Sequence, residues 1–401
     1  MPAAIRAIQG AMRRIDVAER RARLGLRHQL AIPSSNVVDA TNSVVALHSS
    51  DPTTVYLSLK ARVPGLVVAD LESALYHQKS LIRVFGMRRT LWVADRAKLP
   101  IIHHSSTARL GEMERRRTIK ILEDGKVTDD GAAFLSEMTP KVLAALDSHG
   151  ERLTRDLTAD IPSLRQGIEF YNRAGRLMGT TGAGSRVINQ LALESRIVRT
   201  RPAGTWISGQ YAWSTMEGWL GAPMPQMSVD EASALLVADY LRAFGPATEI
   251  DVKWWTGWPL RQLRPALAAN GAVEVQVEGG IAYVLPDDLE PVDASESWVA
   301  ALPSLDPTTM GWKERDWYMG EHTPALFDGN GNAGATIWVD GRAVGGWAQR
   351  RDGTINHELM EDVGAEAVAR VEDQLARLEK WFDGTVITPR FRSPSDKRLA
   401  G

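Results

Sequence analysis

Cysteine is absent from the 401 residues. That absence removes disulfides, thiolate zinc sites, iron–sulfur clusters and cysteine nucleophiles together, and it fits a reducing cytoplasm. Also lacking is any run of about 18 uninterrupted apolar residues, so no membrane-spanning helix is expected. Met1 to Arg14 has no long apolar stretch ahead of a small-residue cleavage site, so no secretory leader is expected there. Charge of one sign is missing too: 47 Lys and Arg against 49 Asp and Glu leave a formal net charge of -2, which by itself argues against generalised nucleic-acid binding. What is present is ordinary for a globular chain, with 44% hydrophobic and 24% charged residues. At about 100 to 200 residues per domain, the length predicts roughly two to four domains.

The even balance conceals a local excess. Between Lys79 and Lys120 stand Lys79, Arg83, Arg88, Arg89, Arg96, Lys98, Arg109, Arg115, Arg116, Arg117 and Lys120, opposed only by Asp95, Glu112 and Glu114. A locally basic face can bind phosphates on a neutral protein, because the electrostatic gain depends on the charges that reach the backbone; the alternative is a plain solvated face.

The spacing of apolar residues predicts helices over Ala18–Leu30, Val37–Leu47, Thr53–Arg62 and Val67–His77, the third stopped by Pro64-Gly65. The junction His48-Ser49-Ser50-Asp51-Pro52 reads as a tight corner between two helices, with Asp51 as N-cap acceptor and Pro52 as first helical residue. Leu81–Phe85 and Thr90–Val93 are β-prone and flank the turn Gly86-Met87-Arg88-Arg89. Helices followed by a ribbon with a basic tip suggest a winged helix. The pattern is clearest later, where helices over Val229–Phe244, Ala247–Trp255 and Pro259–Ala269, the last carrying Arg261 and Arg264, lead into Val273–Val277, the turn Glu278-Gly279-Gly280 and Ile281–Leu285. On that template the middle reads as helices Ala132–Leu146, Leu164–Ala174 and Arg186–Glu194, with a wing from Ile197–Arg199 and Thr205–Ile207.

From Trp298 the composition turns β-rich. Asp328-Gly329-Asn330-Gly331-Asn332 is a loop, Ala335–Trp347 two strands about Asp340-Gly341-Arg342, Val363–Phe382 a long helix, and Thr388–Arg392 a short basic tail. The chain is thus expected to be α+β: three tandem winged-helix domains (1–110, 111–225, 226–295) and a small C-terminal β-rich domain (296–401) closed by one long helix.

Cofactor motifs are wanting. Gly179–Gly184 lacks the Lys-Ser or Lys-Thr of a phosphate loop, His357-Glu358 lacks a second histidine four residues on, and His103-His104 lacks the spacing that puts two ligands on one helix face. No cofactor and no metal are expected. Trp254, Trp255 and Trp258 read as packing under the third wing. The DNA-contacting candidates are Arg88, Arg89 and Thr90 at the first wing tip, Ser185 and Arg186 at the start of the middle helix, and Arg261 and Arg264.

Leu47-His48-Ser49-Ser50-Asp51-Pro52, followed by Tyr56–Val63, resembles the region around the glutamine motif of winged-helix DNA glycosylases of the AlkZ/YcaQ type. Met87-Arg88-Arg89-Thr90-Leu91-Trp92 is similar to that family's Met-Arg-Gly-Thr-Leu-His segment. Leu302–Pro307, Arg315–Tyr318 and Val339–Arg342 resemble its C-terminal signatures. The resemblance implies three winged helices and a C-terminal β-barrel in a C-shaped clamp on double-stranded DNA, excising N7-alkylated purines, bulky or crosslinked ones included. His48 and Ser50 stand where that family has the glutamines of Gln-x-Gln or Gln-x-Asp. An N7-alkylpurine is a cationic leaving group, so positioning water and stabilising an oxocarbenium-like sugar would suffice. His48 is the expected proton acceptor for that water, Ser50 its orienter, and Asp51 a source of negative charge if not committed to capping. A cytoplasmic, nucleoid-associated monomer is the expectation. A non-catalytic DNA-binding protein, a regulator or an adduct-binding protein, is the alternative, and a protein-contact scaffold a third.

Overall fold

The computed structural model describes residues 12–172 and 174–401, so the N-terminal segment expected to lack a leader lies, through residue 11, outside the described residues. Contacts divide the chain into one unit of Met1–Val45, Leu57–Gly65 and Ser233–Gly401 and a second of Ala46–Tyr56 and Leu66–Ala232. The architecture is mixed α and β, and no described helix is long and apolar enough to cross a membrane.

In the first unit, helices Val229–Phe244, Glu249–Thr256 and Leu260–Ala269 precede the hairpin Val273–Val277 with Gly280–Val284, close to the expected ranges. Thr248 and Asp251 cap the middle helix reciprocally: Thr248 Oγ1 accepts from Asp251 N at 3.2 Å and Asp251 Oδ2 from Thr248 N at 3.1 Å. In the hairpin Val275, Val277, Ala282 and Val284 face inward onto buried Ile15, while Glu274 and Gln276 face out, the period-2 pattern of a half-buried ribbon. Trp255 and Trp258 are buried packing residues, as expected.

The C-terminal sheet has four antiparallel strands in the order Val299–Leu302, Thr336–Val339, Arg342–Gln349, Ile355–Leu359. Asp340 and Gly341 both take positive φ (48° and 81°), the two-residue hairpin turn that the sequence announced. The barrel implied by resemblance is not formed: among the described residues the two outer strands do not pair with each other, and helix Ala365–Phe382 packs against both instead. The basic tail leads to a terminal helix, Pro394–Ala400, that sequence reading missed. It lies on strand Arg342–Gln349, where a Cβ on Gly346 would come within 2.5 Å of Ser395 Oγ.

A polar chain is buried in this unit. Arg62 forms a two-pronged ion pair with Asp306 (2.9 and 2.8 Å), both side chains fully buried, and donates to Thr308 Oγ1 at 2.7 Å. Thr308 Oγ1 lies 2.8 Å from His28 Nδ1, and His28 Nε2 lies 3.1 Å from the Ala243 carbonyl. That carbonyl can only accept, so Nε2 carries the proton and Nδ1 accepts from the threonine. Burial, aided by the Arg62 charge, lowers His28 to about 3 and keeps it neutral.

Elsewhere the sequence-based reading fails three times. The helix expected over Val37–Leu47 ends at Asn42, and Leu47–His48 forms a strand. Val44, Val45, Ala46 and Leu47 are all wholly buried, and Val45 takes a φ of 66° that turns the chain out of helical geometry. The segment gains more from pairing with a ribbon than from one further helical turn with an apolar face all round. Farther on, Leu164–Ala174 is not helical: a short 3-10 turn, Pro162–Arg165, leads into a hairpin of Gly167–Tyr171 and Leu177–Gly182. Asn172 Oδ1 accepts from the amides of Ala174 and Arg176, and Gly175 has φ 75°, which is turn chemistry overriding the helical spacing. The run Gly179–Gly184 is accordingly strand and helix start, not a loop. The expected wing partner Thr205–Ile207 lies in a turn, and Ile197–Pro202 pairs with Tyr211–Thr215, which also pairs with Arg152–Leu153.

Candidate functional site

His48 lies on the edge strand of a three-stranded sheet, ordered Leu47–His48, Leu91–Asp95, Leu81–Phe85. Its cross-strand partner is Trp92, with ring centroids 4.9 Å apart. Trp92 is fixed in turn: its indole Nε1 donates to the Met87 carbonyl at 3.2 Å, and Gly86 leaves it room, since a Cβ there would meet the ring at 3.0 Å. The strand continues through Ser49, whose amide donates to the Leu91 carbonyl at 2.8 Å.

Alternation along the strand separates the side chains. Ser49 is buried, and its hydroxyl accepts from Arg83 Nε at 2.9 Å. Arg83, at the centre of the strand Leu81–Phe85, is 2% exposed. Its hydrogen-bond partners among the described residues are neutral: Ser49, and Tyr76 Oη at 3.1 Å, with the Tyr211 ring 4.4 Å from the guanidinium carbon. Burial opposes the charge, but Tyr211, Tyr76 and Tyr56 outweigh it and hold the guanidinium above its ordinary value. Tyr56, 1% exposed and 5.0 Å from the Trp206 ring, is pushed up by burial.

The remaining members of the motif behave differently. His48, 8% exposed, accepts at Nδ1 a long hydrogen bond of 3.4 Å from the Ser50 amide. On that hydrogen bonding the proton sits on Nε2, which makes that nitrogen a donor. Burial, with the nearby Arg88 charge, lowers His48 to about 3, so the ring is neutral at physiological pH. Asp51 is committed to capping, as the sequence suggested: its Oδ1 accepts from the Thr53 amide (2.9 Å) and hydroxyl (2.7 Å) ahead of helix Pro52–Arg62.

Arg88 and Arg89 form the turn of the adjoining ribbon, both at positive φ (55° and 59°). Arg88 is exposed, Arg89 pairs with Glu114 at 2.5 Å, and Thr90 closes the turn by donating to the Met87 carbonyl at 3.0 Å. Much of the expected basic face is spent internally. Arg83 is interior, Lys79 lies on the Trp219 ring at 4.1 Å, Arg96 donates to the Leu220 carbonyl, and Arg115 pairs with Glu194 at 3.0 Å. Ser185 and Arg186 stand in the first turns of helix Ala183–Leu193. Arg261 and Arg264, on helix Leu260–Ala269 of the first unit, are both exposed, but Arg264 is paired with Glu249 at 2.9 Å. His103 and His104 sit within a continuous helical segment, bonded to Ser195 Oγ and the Pro225 carbonyl. No cluster able to hold a metal occurs among the described residues.

Sequence reading missed Arg83, Trp92, Tyr76, Tyr56 and Tyr211. One signal was available, a lone arginine in the otherwise apolar strand Leu-Ile-Arg-Val-Phe.

The chain belongs to the family of AlkZ-like DNA glycosylases, whose pattern it matches over residues 41–381. Among solved structures, the DNA glycosylase AlkZ of Streptomyces sahachiroi superposes with a TM-score of 0.70 over 92% of this chain and 97% of that one, at 19% identity. No curated protein matches the sequence.

Proposed function

We propose that the protein is a monofunctional DNA glycosylase that hydrolyses the N-glycosidic bond of N7-alkylated purines, bulky ones included, in double-stranded DNA. The observation that carries this reading is the location of His48 on an edge strand, with Ser50 two residues beyond it and the Arg88 charge near its ring, in a chain of the AlkZ-like family. The helix-and-hairpin elements around Leu81–Asp95, Ile197–Thr215 and Val273–Val284 are read as winged helices, a fold suited to phosphate contacts. The ribbon Gly167–Gly182 adds exposed Phe170, Leu177 and Met178, apolar side chains of the kind that wedge between base steps.

The alkylated purine is cationic and leaves without a general acid. A neutral His48 suits that charge, since an imidazolium would repel it. With its proton on Nε2, His48 orients the attacking water by donating to the water oxygen, and Ser50 completes the orientation. When C1′–N9 breaks, the bonding pair neutralises the purine; water adds to C1′ and then loses its proton to solvent. His48 therefore acts by hydrogen bonding and not as the proton acceptor. The buried Asp51 carboxylate supplies negative charge close to the developing oxocarbenium while capping its helix.

The test is incubation of the protein with DNA carrying N7-methylguanine or a bulky N7 adduct, scoring abasic sites. Excision abolished by His48→Ala supports the assignment; undiminished excision in that variant removes it. The second reading, DNA binding without catalysis, is favoured by the same histidine being packed on Trp92 with little exposed edge, and footprinting without excision selects it.

A further inference from the structure

The second unit contains a cleft of about 760 Å³ that lies outside the His48 motif. Its walls carry Arg155, Arg165 and Arg199 and the aromatic rings of Tyr211 and Trp213, and no carboxylate among the described residues lines it. A cavity of that size, cationic and aromatic at once, matches a ligand that is anionic at one end and flat at the other.

Each arginine is braced in a different way. Arg165 donates through Nε and one terminal nitrogen to the Thr158 and Ala159 carbonyls (2.9 and 2.7 Å), neutral acceptors that orient it without cancelling its charge. Arg199 lies between two rings, 5.0 Å from Trp213 and 5.2 Å from Phe85, and donates to Asn189 Oδ1 at 3.3 Å. Arg155 approaches a carboxylate, Asp156, at 3.7 Å on the exposed surface. Trp213 is anchored by its indole Nε1 donating to Thr154 Oγ1 at 3.0 Å, so the aromatic wall is fixed before any ligand arrives. Ser185, in the first turn of the eleven-residue helix Ala183–Leu193, also lines the cleft, and the Gly182 N-cap offers no side chain to that helix start. Gly184 lets the helix start approach the cleft wall, since a Cβ there would meet Thr158 Cγ2 at 2.5 Å.

We propose that this cleft binds a phosphorylated nucleoside, its phosphate held by Arg155, Arg165 and Ser185 and its base lying beside Arg199 and the narrow exposed edges of Tyr211 and Trp213. The source is either a free nucleotide or an unpaired nucleotide of a DNA strand, and in the latter case the proposal deepens the glycosylase reading by giving an unstacked base a place to sit. Because Tyr211 carries the Arg83 guanidinium on its ring, an occupant of the cleft presses on the same tyrosine that helps hold Ser49 beside His48.

The experiment is isothermal titration calorimetry of the full chain with dAMP, with the undamaged tetranucleotide d(TTTT) and with inorganic phosphate, in wild type and in Arg165→Ala and Arg155→Ala, whose folding is checked by circular dichroism. The expected result is saturable binding of dAMP or d(TTTT), weakened at least tenfold in both variants, with inorganic phosphate at least tenfold weaker than either. Binding of both probes identifies a free-nucleotide site, and binding of the tetranucleotide alone identifies a strand site. No saturable binding of either probe up to millimolar concentration, unchanged affinity in the variants, or phosphate binding as well as dAMP overturns the proposal. These probes carry no lesion, so loss of the excision reading leaves the outcome intact, and failure here leaves excision to be judged by abasic-site formation.

Discussion

Arg83 Nε donates to Ser49 Oγ at 2.9 Å across the sheet, from one buried side chain to another. Ser49 sits between His48 and Ser50, so this one bond ties the backbone of the candidate catalytic segment to a guanidinium that also bonds Tyr76 and lies on the Tyr211 ring. Ser49→Ala leaves that buried cation short of an acceptor, and the expected loss is about 1 to 3 kcal/mol of unfolding free energy. A lower urea midpoint at unchanged m-value is the readout; an unmoved midpoint means that the bond is not made. Excision should fall by more than the fraction unfolded explains, because both flanking side chains lose their reference.

His48→Gln keeps a neutral donor at the same place. Excision in this variant is expected to stay within about tenfold of wild type, whereas His48→Phe, which preserves the packing on Trp92 but donates nothing, should lose at least about 100-fold, the scale of one preorganised donor. Equal rates in the Gln and Phe variants would remove hydrogen bonding as the role.

Acid should weaken the fold through three histidines. Burial lowers His28 and His48 to about 3 and His103 to about 4. In the unfolded chain they return to about 6.5, so between those values the unfolded state binds more protons than the native one. Stability is therefore complete above about pH 6.5 and declines as pH falls, each buried histidine contributing up to about 1.4 kcal/mol per pH unit. Denaturation midpoints between pH 7 and pH 5 measure the slope, and His48→Gln should flatten it by one histidine's share.

Removing one side of the Arg62–Asp306 pair strands a fully buried charge. Asp306→Asn is expected to cost about 3 to 5 kcal/mol. Replacing both partners together, Arg62→Met with Asp306→Leu, should cost less than the sum of the single changes, which a double-mutant cycle reads directly.

The two arginines of helix Leu260–Ala269 should differ in DNA binding. Arg261 has no ion pair among the described residues, while Arg264 is held by Glu249. If the helix contacts phosphate, Arg261→Ala should reduce the slope of log affinity against log salt by about one, and Arg264→Ala by much less. Equal slopes in both variants would take this helix out of the interface.

Features closed within a few residues were legible in the sequence. Asp51 before Pro52, Asp340-Gly341 between strands, and the alternating Val273–Val277 ribbon all form as read, because each rests on a turn, a cap or a period that local residues complete. Positions that depend on distant partners were not legible. The apolar run Val44–Leu47 is compatible with a buried helix or a buried strand, and only the free edge of Leu91–Asp95 decided for strand. The arginines of the basic stretch look alike as letters, and tertiary placement sent Arg83 inside and left Arg88 outside.

The sequence by itself thus determined that His48 and Ser50 would lie just ahead of a capped helix. It was the tertiary structure that turned His48 into a buried, neutral donor, since burial, tautomer and charge depend on Trp92, Arg88 and the Ser50 amide, groups that the fold alone brings around one imidazole.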